Sequence, residues 1–119
     1  ILNILKDLRH LNLRGVFHAY SGSIETFRQI QTLGDWYVGI GGVLTFKKAS
    51  IAETVKHIPL EKIILETDSP YLTPVPHRGK RNESSYIPHI AEKLALQKGI
   101  DLAEVAKVTT ENAKRLFRI

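Results

Sequence analysis

Apolar residues recur along the chain with two different spacings, which alternate in a regular order. Residues 2–11 space their leucines as one face of a helix, and the short apolar run 16–20 that follows is typical of a buried strand. The same change from helical spacing to a short apolar run occurs at 23–43 and again at 50–68. The pattern therefore predicts the order α, β, α, β, α, β for the first part of the chain.

Capping residues and helix breakers indicate where these elements begin and end. Ser23 is expected to cap the second helix, which ends near Gly34. Ser50 and Glu53 have the spacing of a capping box for the third helix, which Pro59 ends. The predicted strands are residues 15–20, 36–43 and 62–68.

The last part of the chain is predicted to be a loop followed by helices. The proline-rich segment 70–88 reads as a loop whose final proline begins a helix, and Gly99 ends that helix. Asp101 and Glu104 are expected to open a short helix, and Thr110 to begin a separate final one.

Strands that are joined by single helices must run parallel, so the predicted fold class is α/β. Three such strands could form a small doubly wound sheet, or they could be three of the eight units of a (β/α)8 barrel. A complete barrel takes roughly 250 residues, so this chain of 119 residues would be less than half of one. In both architectures, functional residues collect at the carboxyl ends of the strands.

Composition narrows the range of partners and compartments. A formal net charge of +5 and a pI near 9.6 favour anionic partners. The sequence has no cysteine, which excludes disulfides and thiolate metal ligands, and a reducing, cytoplasmic location is expected. No apolar stretch approaches the roughly 18 residues of a membrane span. The sequence also has no methionine, so we expect it to begin inside a longer chain or to follow processing.

The clearest candidate chemistry lies at the end of the third predicted strand. Glu66 and Asp68 are one residue apart, so their side chains point to the same face of the strand. An ionised carboxylate in an apolar interior costs several kcal/mol unless it is paired or binds a metal. A salt bridge could neutralise one carboxylate. Two carboxylates on one face repel each other, so a bound cation that neutralises both is favoured. Asp68 would bind it directly and Glu66 would orient a ligand or a water. Oxygen-rich sites favour Mg²⁺ or Mn²⁺, and Zn²⁺ is also compatible.

The ends of the other two strands carry residues with two interpretations each. His18 could be a hydrogen-bonded core residue or a metal ligand. The glycine pair at 41–42 could allow a close backbone approach or simply tight packing of strands. Lys47 and Lys48 could lie beside the mouth of the strands or in a solvated turn.

The chain resembles the TatD family of metal-dependent deoxyribonucleases. The resemblance covers essentially the whole chain and rests on four segments, FHAYSGS (17–23), ETDSPYLTP (66–74), HRGKRNES (77–84) and TTENAKRLF (109–117). The second and third segments, in that order, are the most specific. The resemblance implies a TIM-like (β/α)8 barrel of the metal-dependent hydrolase type.

The resemblance also implies roles for individual residues. His18 and Asp68 would bind divalent metal, and Asp68 would also accept the proton of the attacking water. Glu66 would support the metal ligands from behind. Four residues of the loop after the third strand would contact the DNA substrate: Arg78, Lys80, Arg81 and Asn82.

One part of the family pattern is absent from the sequence. None of the histidines forms the His-x-His pair that the first strand of such barrels contributes. Residues 1–119 would thus form a single domain, a partial barrel with strands six to eight that lacks its N-terminal half. We expect the isolated piece to be inactive, and to self-associate or to pair with the missing half.

Two alternatives to a deoxyribonuclease remain open at this point. The first is another metal-dependent hydrolase on the same scaffold, for example an aminoacyl-tRNA deacylase. The second is a non-catalytic fragment whose basic loop only binds nucleic acid.

Overall fold

The structure is a computed structural model that describes all residues from Ile1 to Ile119. Its α-helices are α1 (Leu2–Asp7), α2 (Ile24–Gln31), α3 (Ile51–Thr54), α4 (Ile87–Lys98) and α5 (Leu102–Phe117). Its strands are β1 (Arg14–Phe17), β2 (Asp35–Ile40) and β3 (Ile63–Leu65). The predicted alternation of helices and strands up to residue 68 is confirmed.

The three strands form one parallel sheet in the order β1-β2-β3. Phe17 of β1 lies beside Val38 of β2, which in turn lies beside Ile63 of β3. The parallel direction follows from the connections, because each strand is joined to the next by a helical segment that returns the chain to the same end of the sheet. The predicted parallel α/β architecture is therefore confirmed.

The two faces of the sheet have different surroundings. Val38, Ile40 and Ile63 belong to the main hydrophobic core, which they share with residues of the helices. Side chains alternate along a strand, so Gly39 and Ile64 point to the opposite face. Glu66 continues that alternation beyond β3 and therefore projects on the face away from the core helices.

Two helices begin and end as the sequence predicts. The backbone N–H of Thr26 donates to the Ser23 side-chain oxygen at 3.1 Å, which caps α2. Pro88 occupies the first turn of α4, where the missing N–H removes no helical hydrogen bond. Gly99 ends α4 with φ +65°, in the left-handed region that glycine adopts without strain.

The strands are shorter than predicted, and each ends before its polar residues. β1 ends at Phe17, so that His18 lies just beyond it, and Ala19 turns the chain with φ +49°. β3 ends at Leu65, although the Glu66 N–H still donates to the Ile40 carbonyl at 3.0 Å. β2 ends at Ile40, and a 3₁₀ turn follows at Gly42–Thr45. The candidate site residues are thus in the loops at the carboxyl end of the sheet.

The predicted capping box at Ser50 is wrong. Ser50 has helical dihedral angles (φ −65°, ψ −25°), and its side chain makes no capping hydrogen bond. The Glu53 carboxylate pairs instead with the Lys56 ammonium at 2.9 Å. The helix α3 is consequently short and continues as a 3₁₀ turn at Val55–His57.

The prediction of two separate C-terminal helices is also wrong, because α5 is continuous from Leu102 to Phe117. The predicted start of a new helix at Thr110 falls inside it. In the structure, the Thr109 hydroxyl donates to the Val105 carbonyl at 2.7 Å, one turn back, without ending the helix.

The sheet is open on both sides. β1 and β3 each pair with β2 only, so the outer edge of each strand is unpaired. The short helix α1 beside β1 buries none of its residues, and Ile1 and Ile4 are exposed. No helix in this protein combines the length and the apolar character that crossing a bilayer requires.

Candidate metal centre

Three polar side chains meet at the carboxyl end of the sheet. His18 follows β1, while Glu66 and Asp68 follow β3. The His18 Nδ1 atom lies 2.7 Å from Glu66 Oε2, and the His18 Nε2 atom lies 2.8 Å from Asp68 Oδ1. The imidazole ring thus contacts two carboxylates that lie about fifty residues after it in the sequence. The structure brings together the residues predicted from the third strand with the histidine predicted from the first.

Both oxygens of the Glu66 carboxylate already have donors from the loop after β1. Oε2 accepts from the His18 ring, and Oε1 accepts from the backbone N–H of Ala19. Gly39 leaves room for this carboxylate, because a Cβ atom at that position would lie 2.1 Å from Glu66 Oε2. Glu66, whose side chain is only 14% exposed, is therefore placed to hold the imidazole in one orientation.

The two carboxylates change the acidity of His18. The hydrogen bond and charge of Glu66, followed by those of Asp68, raise the pKa of His18 above its ordinary value. The His18 side chain is 57% exposed and that of Asp68 is 33% exposed. The Nε2 atom and the Asp68 carboxylate therefore lie on the open side of the cluster, and Glu66 lies behind them.

This arrangement fits a divalent metal. Bonds from zinc-like ions to nitrogen and carboxylate oxygen are about 2.0–2.2 Å, which places neighbouring donor atoms about 3–3.5 Å apart. The His18 Nε2 and Asp68 Oδ1 atoms lie 2.8 Å apart in a hydrogen bond, so a small separation of the two side chains would admit a metal between them. Metal-binding histidines also commonly donate their other ring N–H to a carboxylate, as His18 does to Glu66. His18 and Asp68 would hold the metal, and Glu66 would orient His18.

The chain does not supply a complete set of ligands. No group of three or more histidine, cysteine, aspartate or glutamate side chains is arranged to hold a metal ion. Catalytic metal sites usually have at least three protein ligands. His18 and Asp68 would consequently be two ligands of a larger set.

A cavity of about 180 Å³ adjoins the cluster. Its polar lining includes Glu66, Asp68 and Thr67, and the glycine pair at 41–42 forms part of its wall. A small polar group could therefore reach Asp68 from this side of the sheet.

The predicted substrate-binding residues fall into two groups. Arg78, Lys80 and Arg81 are exposed in the loop after β3. Asn82 is only 2% exposed; its amide donates to the Tyr71 carbonyl at 2.8 Å, and its side-chain oxygen accepts from the Glu83 N–H at 2.9 Å. The structure thus corrects the predicted role of Asn82, because its side chain fixes the loop from inside and is not presented to a substrate.

Thr45 links the loops that follow β2 and β3, a role that no sequence motif indicated. Its hydroxyl oxygen accepts from the Val75 N–H at 2.9 Å and donates its proton to the Gly42 carbonyl at 2.7 Å. Within the second loop, the Thr73 hydroxyl donates to the Lys80 carbonyl at 2.5 Å. The two loops lie beside His18, Glu66 and Asp68, which are here called the metal cluster. The hydrogen bonds of Thr45 and Thr73 therefore hold these loops in a fixed relation to each other.

The glycine pair at 41–42 allows a close backbone approach, the first of its two interpretations. A Cβ atom on Gly42 would lie 2.1 Å from the Leu72 carbonyl oxygen. At Gly41 the nearest atom to such a Cβ would be the Glu66 carbonyl oxygen, at 3.4 Å. Only Gly42 must lack a side chain for the loop after β3 to pack as observed.

The parallel sheet with its open edges, and the histidine–carboxylate cluster at its carboxyl end, are consistent with a class of protein: part of a (β/α)8 barrel of the metal-dependent hydrolase type. More particularly, this chain belongs to the TatD-related DNase family, whose family model it matches over residues 1–118. The resemblance and the fold class inferred from the sequence are thereby confirmed.

Curated relatives of this chain include two bacterial proteins. It is 45% identical to YabD of Bacillus subtilis, an uncharacterized metal-dependent hydrolase, with 100% of this chain and 47% of the relative covered. It is 40% identical to YcfH of Escherichia coli K12, which has the same description, with 99% of this chain and 44% of the relative covered. The chain thus spans about half the length of the curated relatives it matches.

Solved structures give the same picture of the fold. The TatD homologue YJJV of Escherichia coli K12 superposes with a TM-score of 0.87 at 24% identity, covering 99% of this chain and 45% of that one. A TatD family hydrolase of Entamoeba histolytica superposes with a TM-score of 0.80 at 26% identity, covering 96% and 45%. In each case the present chain corresponds to less than half of the larger structure.

Proposed function

We propose that this chain is part of a metal-dependent hydrolase that cleaves the phosphodiester bonds of DNA. The observation that carries the proposal is the His18–Asp68 pair, with donor atoms 2.8 Å apart and Glu66 fixing the imidazole from behind. Membership of a family described as TatD-related DNases supports the choice of DNA as substrate.

Each of the three residues has its own part in the proposed reaction. A divalent metal, when bound, would supply an activated water at neutral pH. His18 would hold the metal through Nε2, in the orientation that Glu66 imposes. Asp68 would also hold the metal and would accept the proton of the attacking water. Arg78, Lys80 and Arg81 contact backbone phosphates without reading bases.

The proposed metal is Mg²⁺ or Mn²⁺, with Zn²⁺ as the further candidate. Two protein ligands bind such ions weakly, so the 119-residue chain alone should be inactive and should need the missing half of the barrel. The open edges of β1 and β3 are where that half would pair. In its absence, the same edges favour self-association.

The experiment that tests the proposal compares three versions of the protein extended to the length of YabD. The parent, the Asp68→Asn variant and a control, Asp101→Asn, are assayed on DNA with each metal and then with chelator. Asp101 is an exposed residue before α5 whose side chain makes no capping hydrogen bond. The parent and the control should cut DNA only with metal, and Asp68→Asn should lose at least about a hundredfold in rate.

The same preparations decide between the proposal and its alternatives. Activity on an aminoacyl ester but not on DNA would replace the nuclease with an ester hydrolase on the same scaffold. Binding of DNA that persists in chelator, with no cleavage under any metal, would make the protein a nucleic-acid-binding module. Cleavage by Asp68→Asn at the rate of the parent would remove Asp68 from the reaction.

A further inference from the structure

A second surface beside the metal cluster has an unusual concentration of positive charge. It is a shallow groove between the loops that follow β2 and β3, here called the lysine groove. Six residues line it: Val43, Phe46, Lys47, Lys48, Ala49 and Arg78.

The positive charge of the lysine groove is not neutralised within the chain. No acidic residue is among the six that line it. Lys47 and Lys48 are both exposed, and neither takes part in any of the ion pairs, which involve His18, Lys56 and Lys62. Two adjacent cations therefore face solvent together with the Arg78 guanidinium.

Arg78 is held in position by an aromatic ring. Its guanidinium carbon lies 3.8 Å from the centre of the Phe46 ring, which is the geometry of a cation–π contact. The hydrogen bonds of Thr45, next to Phe46 in the chain, join the two loops that carry these residues. The groove is thus presented as a preformed surface in which less flexibility is lost when a ligand binds.

The lysine groove and the cavity at the metal cluster adjoin at one residue. Val43 lines both the groove and the cavity that contains Asp68 and Glu66. A chain molecule that lies in the groove and passes Val43 would therefore enter the cavity that Asp68 lines.

We propose that the lysine groove binds backbone phosphates of the DNA strand that is cut. The bond to be cut lies at Asp68, and the phosphates in the groove belong to neighbouring nucleotides of that strand. This inference rests on the proposed function and extends it. Lys47 and Lys48, in the loop after β2, would bind phosphates in addition to those that Arg78 contacts from the loop after β3. Lysine and arginine contact phosphates by charge and do not require a base sequence, so the grip is independent of sequence.

The direct test measures binding in excess chelator, where no DNA is cut. Versions extended to the length of YabD are titrated with a roughly 12-nucleotide oligodeoxynucleotide at several salt concentrations. Lys47→Ala/Lys48→Ala should bind at least tenfold more weakly than the parent. Its slope of log K against log salt should be smaller by about 1.4, because each lost phosphate contact removes about 0.7 for a single strand.

A matched control removes the same charge elsewhere. Lys107 and Lys114 are exposed on α5, and Lys107→Ala/Lys114→Ala should keep both the affinity and the salt slope of the parent. Equal losses in the two double variants would overturn the proposal, since net charge alone would then account for the effect. An unchanged slope for the Lys47→Ala/Lys48→Ala protein would also overturn it.

A second measurement separates this inference from the proposed function. A small phosphodiester, bis(4-nitrophenyl) phosphate, is too short to span the metal cluster and the groove. In Lys47→Ala/Lys48→Ala, the ratio of kcat/KM for the oligonucleotide to kcat/KM for the small diester should fall at least tenfold. If the parent cleaves neither substrate, the nuclease proposal fails, and the binding titrations still decide whether the groove holds DNA. Displacement of DNA by polyglutamate of equal charge at equal concentration would overturn DNA as the partner.

Discussion

The change Gly42→Ala should destabilise the protein and displace the loop that follows Asp68. The added Cβ would lie 2.1 Å from the Leu72 carbonyl oxygen and 3.1 Å from the Pro74 nitrogen. To regain an ordinary contact, the Leu72 carbonyl would have to withdraw by about 1.3 Å, and it is backbone that cannot rotate away. Overpacking typically costs about 1–3 kcal/mol, and the cost should be at the upper end here because both partners are main chain.

The displacement should also reach the metal cluster. Leu72 follows Tyr71, whose N–H donates to the Asp68 carbonyl at 2.6 Å. Movement of this short segment would shift the Asp68 carboxylate relative to His18. We therefore expect metal affinity and hydrolysis to fall together with stability in Gly42→Ala.

The matched control is the neighbouring glycine. In Gly41→Ala the new Cβ meets nothing closer than the Glu66 carbonyl oxygen at 3.4 Å, and Gly41 has extended backbone angles that alanine tolerates. Urea unfolding is measured on versions extended to the length of YabD. The free energy of unfolding should be about 3 kcal/mol lower in Gly42→Ala than in the parent, and within about 1 kcal/mol of the parent in Gly41→Ala. If Gly42→Ala unfolds within about 0.5 kcal/mol of the parent, the close approach of the Leu72 carbonyl is not what requires a glycine.

Three further outcomes are expected from other parts of the structure. Asn112→Leu should lower the free energy of unfolding by about 2–3 kcal/mol, and exposed Glu111→Gln should not, because the Asn112 amide donates at 2.8 Å to the Leu60 carbonyl before β3 and to the Ile63 carbonyl at its start. Glu66→Gln should weaken metal binding about 10–100-fold in chelator competition, with little change in stability, and an unchanged affinity would refute its orienting role. Burial lowers the pKa of Lys98 below its usual 10.5, so the unfolded state holds more protons and stability should rise as the pH approaches that value. Urea unfolding of Lys98→Met should lack this increase, and an equal increase in both proteins would contradict the assignment.

The sequence predicted the order of elements because its hydrophobic spacing is set by local geometry. The apolar runs of β2 and β3 are largely buried, and Ser23, Pro88 and Gly99 act at helix ends as their chemistry requires. The failures are at Ser50 and within α5, where a cap or a break signalled by residue type was overridden by the rest of the fold. The Thr109 side chain shows why: its hydroxyl has a partner inside the helix, so nothing in its own chemistry forces an end.

The site was predictable as chemistry and less so as geometry. Glu66 and Asp68 could be grouped because strand residues separated by one position share a face. His18 was assigned as a ligand only through the family resemblance, since its own position left two interpretations open. The turn at Ala19 decides which carboxylate lies against which nitrogen of the His18 ring. The spacing of residues in the sequence does not predict that turn. The burial of Asn82 was missed for a similar reason, since polar residues in a basic loop are usually exposed.

The fixed arrangement of His18, Glu66 and Asp68 has a physical consequence. The contacts that orient the ligands are all internal: Glu66 receives donors from His18 and Ala19, and its backbone is paired to β2. The ligand set, in contrast, stops at two atoms. Completing the barrel would therefore add ligands to an imidazole and a carboxylate that are already positioned, with little rearrangement of His18. An ordered half-site of this kind reduces the entropy lost when the metal binds, because the part contributed by this chain is fixed before the other ligands arrive.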